Sequence, residues 1–213
     1  MLSLESDKAM EIKEKITGSL LHRIGANTLE GANLIGAHLR AADLNAANAH
    51  AAQLVGADLT GAEMIHANLS YVDLAAACLD GADLTQANLA YAHLEYAMLR
   101  HVRLTTADLR GGSLLRANLT RADLHSANLA GANLSYASLW DADLRGAVLV
   151  GADLTGANLE GADLTDTDLA YAKIEGAVYD LTTGWPNGFD PQRHGAKRIP
   201  EGLIDRAVTC RTG

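Results

Sequence analysis

Aromatic side chains are scarce: the 213 residues include one phenylalanine, two tryptophans and six tyrosines. Rings bury a large area each, so a core built almost without them must be assembled from many small pieces. Proline is confined to Pro186, Pro191 and Pro200. Because proline cannot donate to a backbone ladder, its late arrival marks a boundary near Trp185. No apolar run reaches the roughly 18 residues of a membrane-spanning helix. Charges interrupt MLSLESDKAMEIKEK where a signal peptide would be apolar, so a cytoplasmic protein is expected. Cys78 and Cys210 are the only cysteines; a disulfide framework is not expected from so distant a pair, and a reducing compartment is the simpler reading. The nucleophile-elbow, phosphate-loop and H-E-x-x-H patterns are missing. The eight histidines are scattered along the chain. No catalytic residue, cofactor or metal ligand is assigned, and no enzyme is expected.

What is present is periodic. From Leu29 to Ile174, leucine occupies every fifth position except at Ala49, Met64 and Ile174. Two places upstream of each stands alanine in the great majority of units, and the residue between is most often Asp or Asn. A period of five matches neither the 3.6 of a helix nor the 2.0 of a flat strand. Three segments follow: residues 1–24, the repeat over 25–180, and a tail over 181–213. In the first, Ile12, Ile16 and Leu20 share one helical face and Glu11–Lys15 are an i,i+4 pair, so a capping helix is expected. Gly18 is a weak point in it. Ile35 and Val55, outward at the start of the repeat, are the expected dock for that helix.

The A-(D/N)-L-x-x unit, purest in ADLTGANLEGADL from Ala152 to Leu164, resembles the pentapeptide repeat proteins. The likeness covers about 150 residues, and YDLTTGWPNGFDPQRHGA (Tyr179 to Ala196) is similar to the segment following the repeat in many cyanobacterial members. That resemblance implies an all-β solenoid: a right-handed quadrilateral β-helix of about 20 residues per coil and about 7–8 coils, with Leu and Ala inward and three positions outward. One internal observation supports four sides. On one side the residues before each Leu are Asp43, Glu63, Asp83, Arg103, Asp123, Asp143 and Asp163. Six of these seven are acidic, against five of 23 on the other sides. The exposed apolar ends of such a rod need caps, which the N-terminal helix and Trp185/Phe189 would supply.

Candidate function lies in the outward columns. The net charge of −9 disfavours a nonspecific nucleic-acid or membrane binder. Residues 100–125 nevertheless carry five arginines against two aspartates, between two acidic zones. Tyr96, Arg116 and Tyr136 stack on successive coils, as cation–π pairing requires; Arg100 and His101 precede Arg121 and Trp140. These seven residues are the candidate partner-binding patch, since Trp and Arg favour interfaces. The acidic ladder of Asp43, Glu63, Asp83, Asp123, Asp143 and Asp163 is either repeat grammar or, as in some members of the family, an imitation of nucleic-acid phosphates. Carboxylates about 4.8 Å apart repel, which raises pKa values; Arg103 is placed to neutralise Asp83 and Asp123. The expected function is a rigid, non-catalytic scaffold or regulator that binds another protein, as a monomer or homodimer. The alternative is a DNA-mimicking modulator of a type II topoisomerase (gyrase). Direct nucleic-acid or membrane binding is not expected.

Overall fold

The computed structural model describes residues 10–25 and 28–199. Every fifth residue from Asn33 to Asn158 bridges, in parallel, the residue 20 positions further on. Asn33, His38, Asp43 and Asn48 are followed by Gln53, which stacks on Asn33. Each coil therefore has four sides of one repeat unit each, named here by those first four residues.

Residues 129–133 show how one unit satisfies its backbone. Leu129 N–H donates to the Val148 carbonyl, Gly131 N–H to Val150 and Asn133 N–H to Gly112, at 2.8, 2.8 and 2.9 Å. Ala132 N–H turns back to the Leu129 carbonyl at 3.0 Å. The fifth donor, Ala130 N–H, is taken by the side-chain Oδ1 of Asn128 at 3.1 Å. All five N–H groups are thus paired, four by backbone and one by an Asx turn. The same side-chain contact recurs from Asn33 to Ile35 N–H at one end and from Asp168 to Ala170 N–H at the other. The Asp or Asn before each Leu is therefore a corner part, which is why the repeat accepts either residue.

Each corner from residue 31 to residue 176 also needs a left-handed residue two places after the core position. Glycine fills some of these, as at Gly131 (φ 67°), but tyrosine, arginine and alanine hold φ of 51–59° at others. Inside the coils the Leu and Ala columns are buried without a break from Leu54 to Leu164. Ala49, Met64 and Ile174 are buried as well, so all three exceptions to leucine still fill core positions.

The described part of the N-terminal segment, from Met10 to Ile24, is a hairpin and not a helix. Met10–Lys13 (β1) pairs antiparallel with Leu20–Ile24 (β2); residues 1–9 lie outside the described residues. The chain docks edge-on to the first coil: Glu14 bridges Ala42, Asp43 N–H donates to the Lys13 carbonyl, and Lys15 N–H donates to Ala41. Ile12 is buried while Ile16 is 87% exposed, so the helical stripe does not exist as a face. Gly18, at φ 68°, lies in the hairpin turn. Ile35 is left exposed, because the hairpin covers the Asp43 side instead. The hairpin supplies what a helix could not, namely backbone partners for an open strand edge.

At the other end the register slips by one, so that Asp163 bridges Gly184. Val178–Tyr179 (β3) then pairs in parallel with Lys197–Arg198 (β4). There Tyr179 meets Trp185 edge-on at 5.5 Å, Trp185 stacks on Phe189 at 5.4 Å and Phe189 on His194 at 4.6 Å, and Trp185 and Phe189 pack on the core. Cover is incomplete on the Asn48 side, where Leu169 is half-buried and Tyr171 is 89% exposed. Cys78 is disulfide-bonded, contrary to the expectation of two separate thiols; Cys210 lies outside the described residues.

Candidate interaction surfaces

The acidic ladder exists as a continuous column: Asp43, Glu63, Asp83, Arg103, Asp123, Asp143 and Asp163 bridge one another in that order. Its carboxylates are engaged locally. Asp43, Asp83, Asp123, Asp143 and Asp163 each accept the corner N–H two residues on. Beyond that, Glu63 pairs with Lys15 of the hairpin, Asp83 with Arg103 at 3.0 Å and Asp143 with Arg145. Asp123 accepts Thr105 Oγ1 at 2.8 Å, so Arg103 serves one acidic neighbour rather than two. The Lys15 ammonium hydrogen-bonded to Glu63 holds that carboxyl below its ordinary value. The Arg145 guanidinium does the same to Asp143. Both shifts run opposite to the rise expected from like-charge repulsion, since hydrogen-bonded cations at contact outweigh carboxylates one coil away.

The basic–aromatic residues gather on the two rims of one side. The His38 side runs through Met98, Asn118 and Ser138. Tyr96, Arg116 and Tyr136 are the left-handed corner residues on its leading rim. His101 and Arg121 hold the corners of its trailing rim, with Arg100 and Trp140 one residue earlier in their coils. Cation–π pairing forms on both rims: the Arg116 guanidinium carbon lies 5.6 Å from the Tyr136 ring centre, and that of Arg121 lies 4.7 Å from the Trp140 ring. Arg121 also reaches Asp141 at 3.4 Å. Arg100 is committed to Asp80, its Nε 3.0 Å from Oδ2, and that contact raises its pKa. Arg116 has no ion pair among the described residues. Tyr96 and Tyr136 are more than half exposed.

A second aromatic column was not singled out from sequence. His50, Tyr71 and Tyr91 follow one another up a corner of the Asn48 side, at 5.6 Å edge-on and 5.1 Å stacked. The signal was available, since Tyr71 and Tyr91 stand one coil length apart in the sequence. Among the described residues no group of three His, Cys, Asp or Glu side chains could hold a metal ion, and none of their helices is long and apolar enough to cross a membrane.

Comparison with known proteins agrees with this geometry. The pentapeptide-repeat family model matches in eight copies, over residues 28–64, 67–105, 103–141, 127–166 and 142–178. HetL, a pentapeptide repeat protein involved in heterocyst differentiation regulation in the cyanobacterium Nostoc sp. strain PCC 7120, is 37% identical over 70% of each chain, with a TM-score of 0.53. A trypsin-treated form of QnrB1, a plasmid-mediated fluoroquinolone resistance protein, covers 74% of this chain and 77% of its own at 23% identity, with a TM-score of 0.57; that likeness is one of fold. No match is found among curated protein sequences. The chain belongs to the pentapeptide repeat family.

Proposed function

We propose that this protein is a non-catalytic scaffold or regulator that binds another protein through the rims of the His38 side. The observation that carries this reading is the pair of rims itself. Arg116 stacked on Tyr136 and Arg121 stacked on Trp140 stand on opposite edges of one strand ladder. Arg, Tyr and Trp are the residue types that dominate binding energy at interfaces. Here they are held by the coils, so little side-chain entropy remains to be lost on docking. The similarity to HetL, a protein of regulation, supports the same reading. A right-handed winding of seven to eight coils, a cytoplasmic location and a monomeric or dimeric state complete the proposal.

Gyrase modulation through the acidic ladder is the weaker alternative, because its carboxylates are occupied by corner N–H groups and by Lys15, Arg103 and Arg145. The test is affinity capture from the source cell with the native chain and with Arg121→Glu/Trp140→Ala. Loss of a specific captured protein supports the patch. Retention of every captured protein removes it.

A further inference from the structure

We infer that the C-terminal end of the Asn48 side is a docking site for an extended peptide segment of another protein, one that reads small–basic–leucine. The site is an unfinished ladder. One coil lower, Leu149 N–H donates to the Asp168 carbonyl at 2.9 Å and Gly151 N–H to that of Ala170 at 2.8 Å. The Ala147 carbonyl accepts Asp168 N–H at 3.1 Å. The same three groups one coil on are Leu169 N–H, Tyr171 N–H and the Thr167 carbonyl. Among the described residues none of the three is paired. The tail does not complete the column, because Phe189 N–H turns back to the Pro186 carbonyl at 3.0 Å.

Between that turn and the open edge lies a cavity of about 390 Å³, lined by Leu169, Tyr171, Pro186, Phe189 and His194 among others. One water takes roughly 30 Å³, so the space admits side chains. Open strand edges bind extended segments through main-chain hydrogen bonds, and pockets for alternate side chains supply selectivity.

The repeat itself dictates what such a segment must be. Its central residue, standing over Asp168, offers its N–H to the Thr167 carbonyl and its carbonyl to Leu169 N–H. The carbonyl two residues later meets Tyr171 N–H. The residues on either side of the central one face inward, at the places that Ala and Leu hold along the rod. The later of the two therefore rests on half-buried Leu169, inside the cavity. The central side chain faces outward above Asp168. Asp166 and Asp168 are exposed and make no ion pair among the described residues, which favours lysine there. One side further along, Ala172, Lys173 and Ile174 already show this arrangement: Lys173 stacks on Asp153 with its ammonium 3.9 Å from the carboxylate, and Ile174 is buried. A second copy of this chain suits the edge less well, since its repeat places Asp or Asn where lysine is favoured.

The test is an NMR titration of the full chain with the capped heptapeptide Thr-Thr-Ala-Lys-Leu-Thr-Thr. Its binding should shift the amide signals of Leu169 and Tyr171 and slow their exchange with water. The peptide with Asp in place of Lys should bind at least about fivefold more weakly, as should the one N-methylated at the lysine amide. Asp168→Asn keeps the acceptor for Ala170 N–H but removes the charge, and should narrow the Lys-over-Asp preference. No response of the two amides at millimolar peptide overturns the site, as does equal affinity for the N-methylated peptide. Slowed exchange that appears without peptide and grows with protein concentration assigns the edge to a second copy and also overturns it. The site stands apart from the rims of the His38 side, so Arg121→Glu/Trp140→Ala should leave peptide binding unchanged. Failure of either reading is therefore seen separately.

Discussion

The Arg121 guanidinium carbon sits 4.7 Å from the centre of the Trp140 ring, while its Nε reaches Asp141 at 3.4 Å. Residues 121 and 141 are corner residues one coil apart, so the coil spacing itself sets this contact. Exposed cation–π pairs contribute about 0.5–1 kcal/mol. A double-mutant cycle of Arg121→Ala and Trp140→Ala, read by chemical denaturation, should show a coupling of about that size. Additive single effects would mean that the coils, not the pair, hold the two side chains in place.

The residue before Leu caps the corner N–H two positions on, as Asn118 does for Thr120 at 3.1 Å. An aspartate offers the same acceptor, so Asn118→Asp should leave stability nearly unchanged. Asn118→Ala leaves the donor without its acceptor and should cost about 1 kcal/mol. Equal losses for both variants would show that the amide acts through something other than its oxygen.

Corner conformation predicts a second asymmetry. A side chain added at Gly131 would meet nothing within 4 Å, so only the φ of 67° opposes it. Gly131→Ala should therefore cost about 1 kcal/mol. Gly161→Ala should cost more, because its added carbon would meet the Asp141 carboxylate, which must turn aside from its place beside Arg121. Calorimetric melting of the two variants ranks them.

Core position matters by depth along the rod. Leu134 is fully buried, and Leu134→Ala should cost about 2–5 kcal/mol. Leu169 occupies the same repeat position beside the uncovered edge and is half-buried, so Leu169→Ala should cost less than half as much.

Acid should loosen the rod from its charged columns. Glu63 and Asp143 have pKa values held below their ordinary 4.5 and 3.8, first by hydrogen bonds from Lys15 and Arg145. The unfolded chain then binds protons before the folded one does. Their stabilisation is present above about pH 4.5 and is lost as the pH falls through the folded values. Melting temperature should rise with pH through this acid range and flatten above it. Glu63→Gln should make the rise shallower; a steeper one would reverse the sign assigned to Lys15.

The Leu and Ala columns were legible because each core position repeats one residue type, and the coil length was legible because one outward column is acidic. The rims were legible for the same reason, with Tyr96, Arg116 and Tyr136 recurring at the coil length. The N-terminal hairpin was not, since Ile12, Ile16 and Leu20 fit a helical stripe although Ile12 is buried and Ile16 points to solvent. What decided that segment was the open strand edge at Asp43, a partner that no local pattern contains. The role of Asp and Asn was half visible. Their interchange was plain, but the N–H that makes them equivalent belongs to a turn whose left-handed residue is often not glycine.

Binding by the rims, with the acidic ladder serving only the fold, is tested most directly by setting the two surfaces against each other. Affinity capture is run in parallel with Arg116→Glu/Arg121→Glu and with Asp83→Asn/Asp123→Asn/Asp143→Asn, both confirmed folded by circular dichroism. The rim variant should lose the native chain's partner and the ladder variant should keep it. A partner kept by the rim variant and lost by the ladder variant would reverse the assignment.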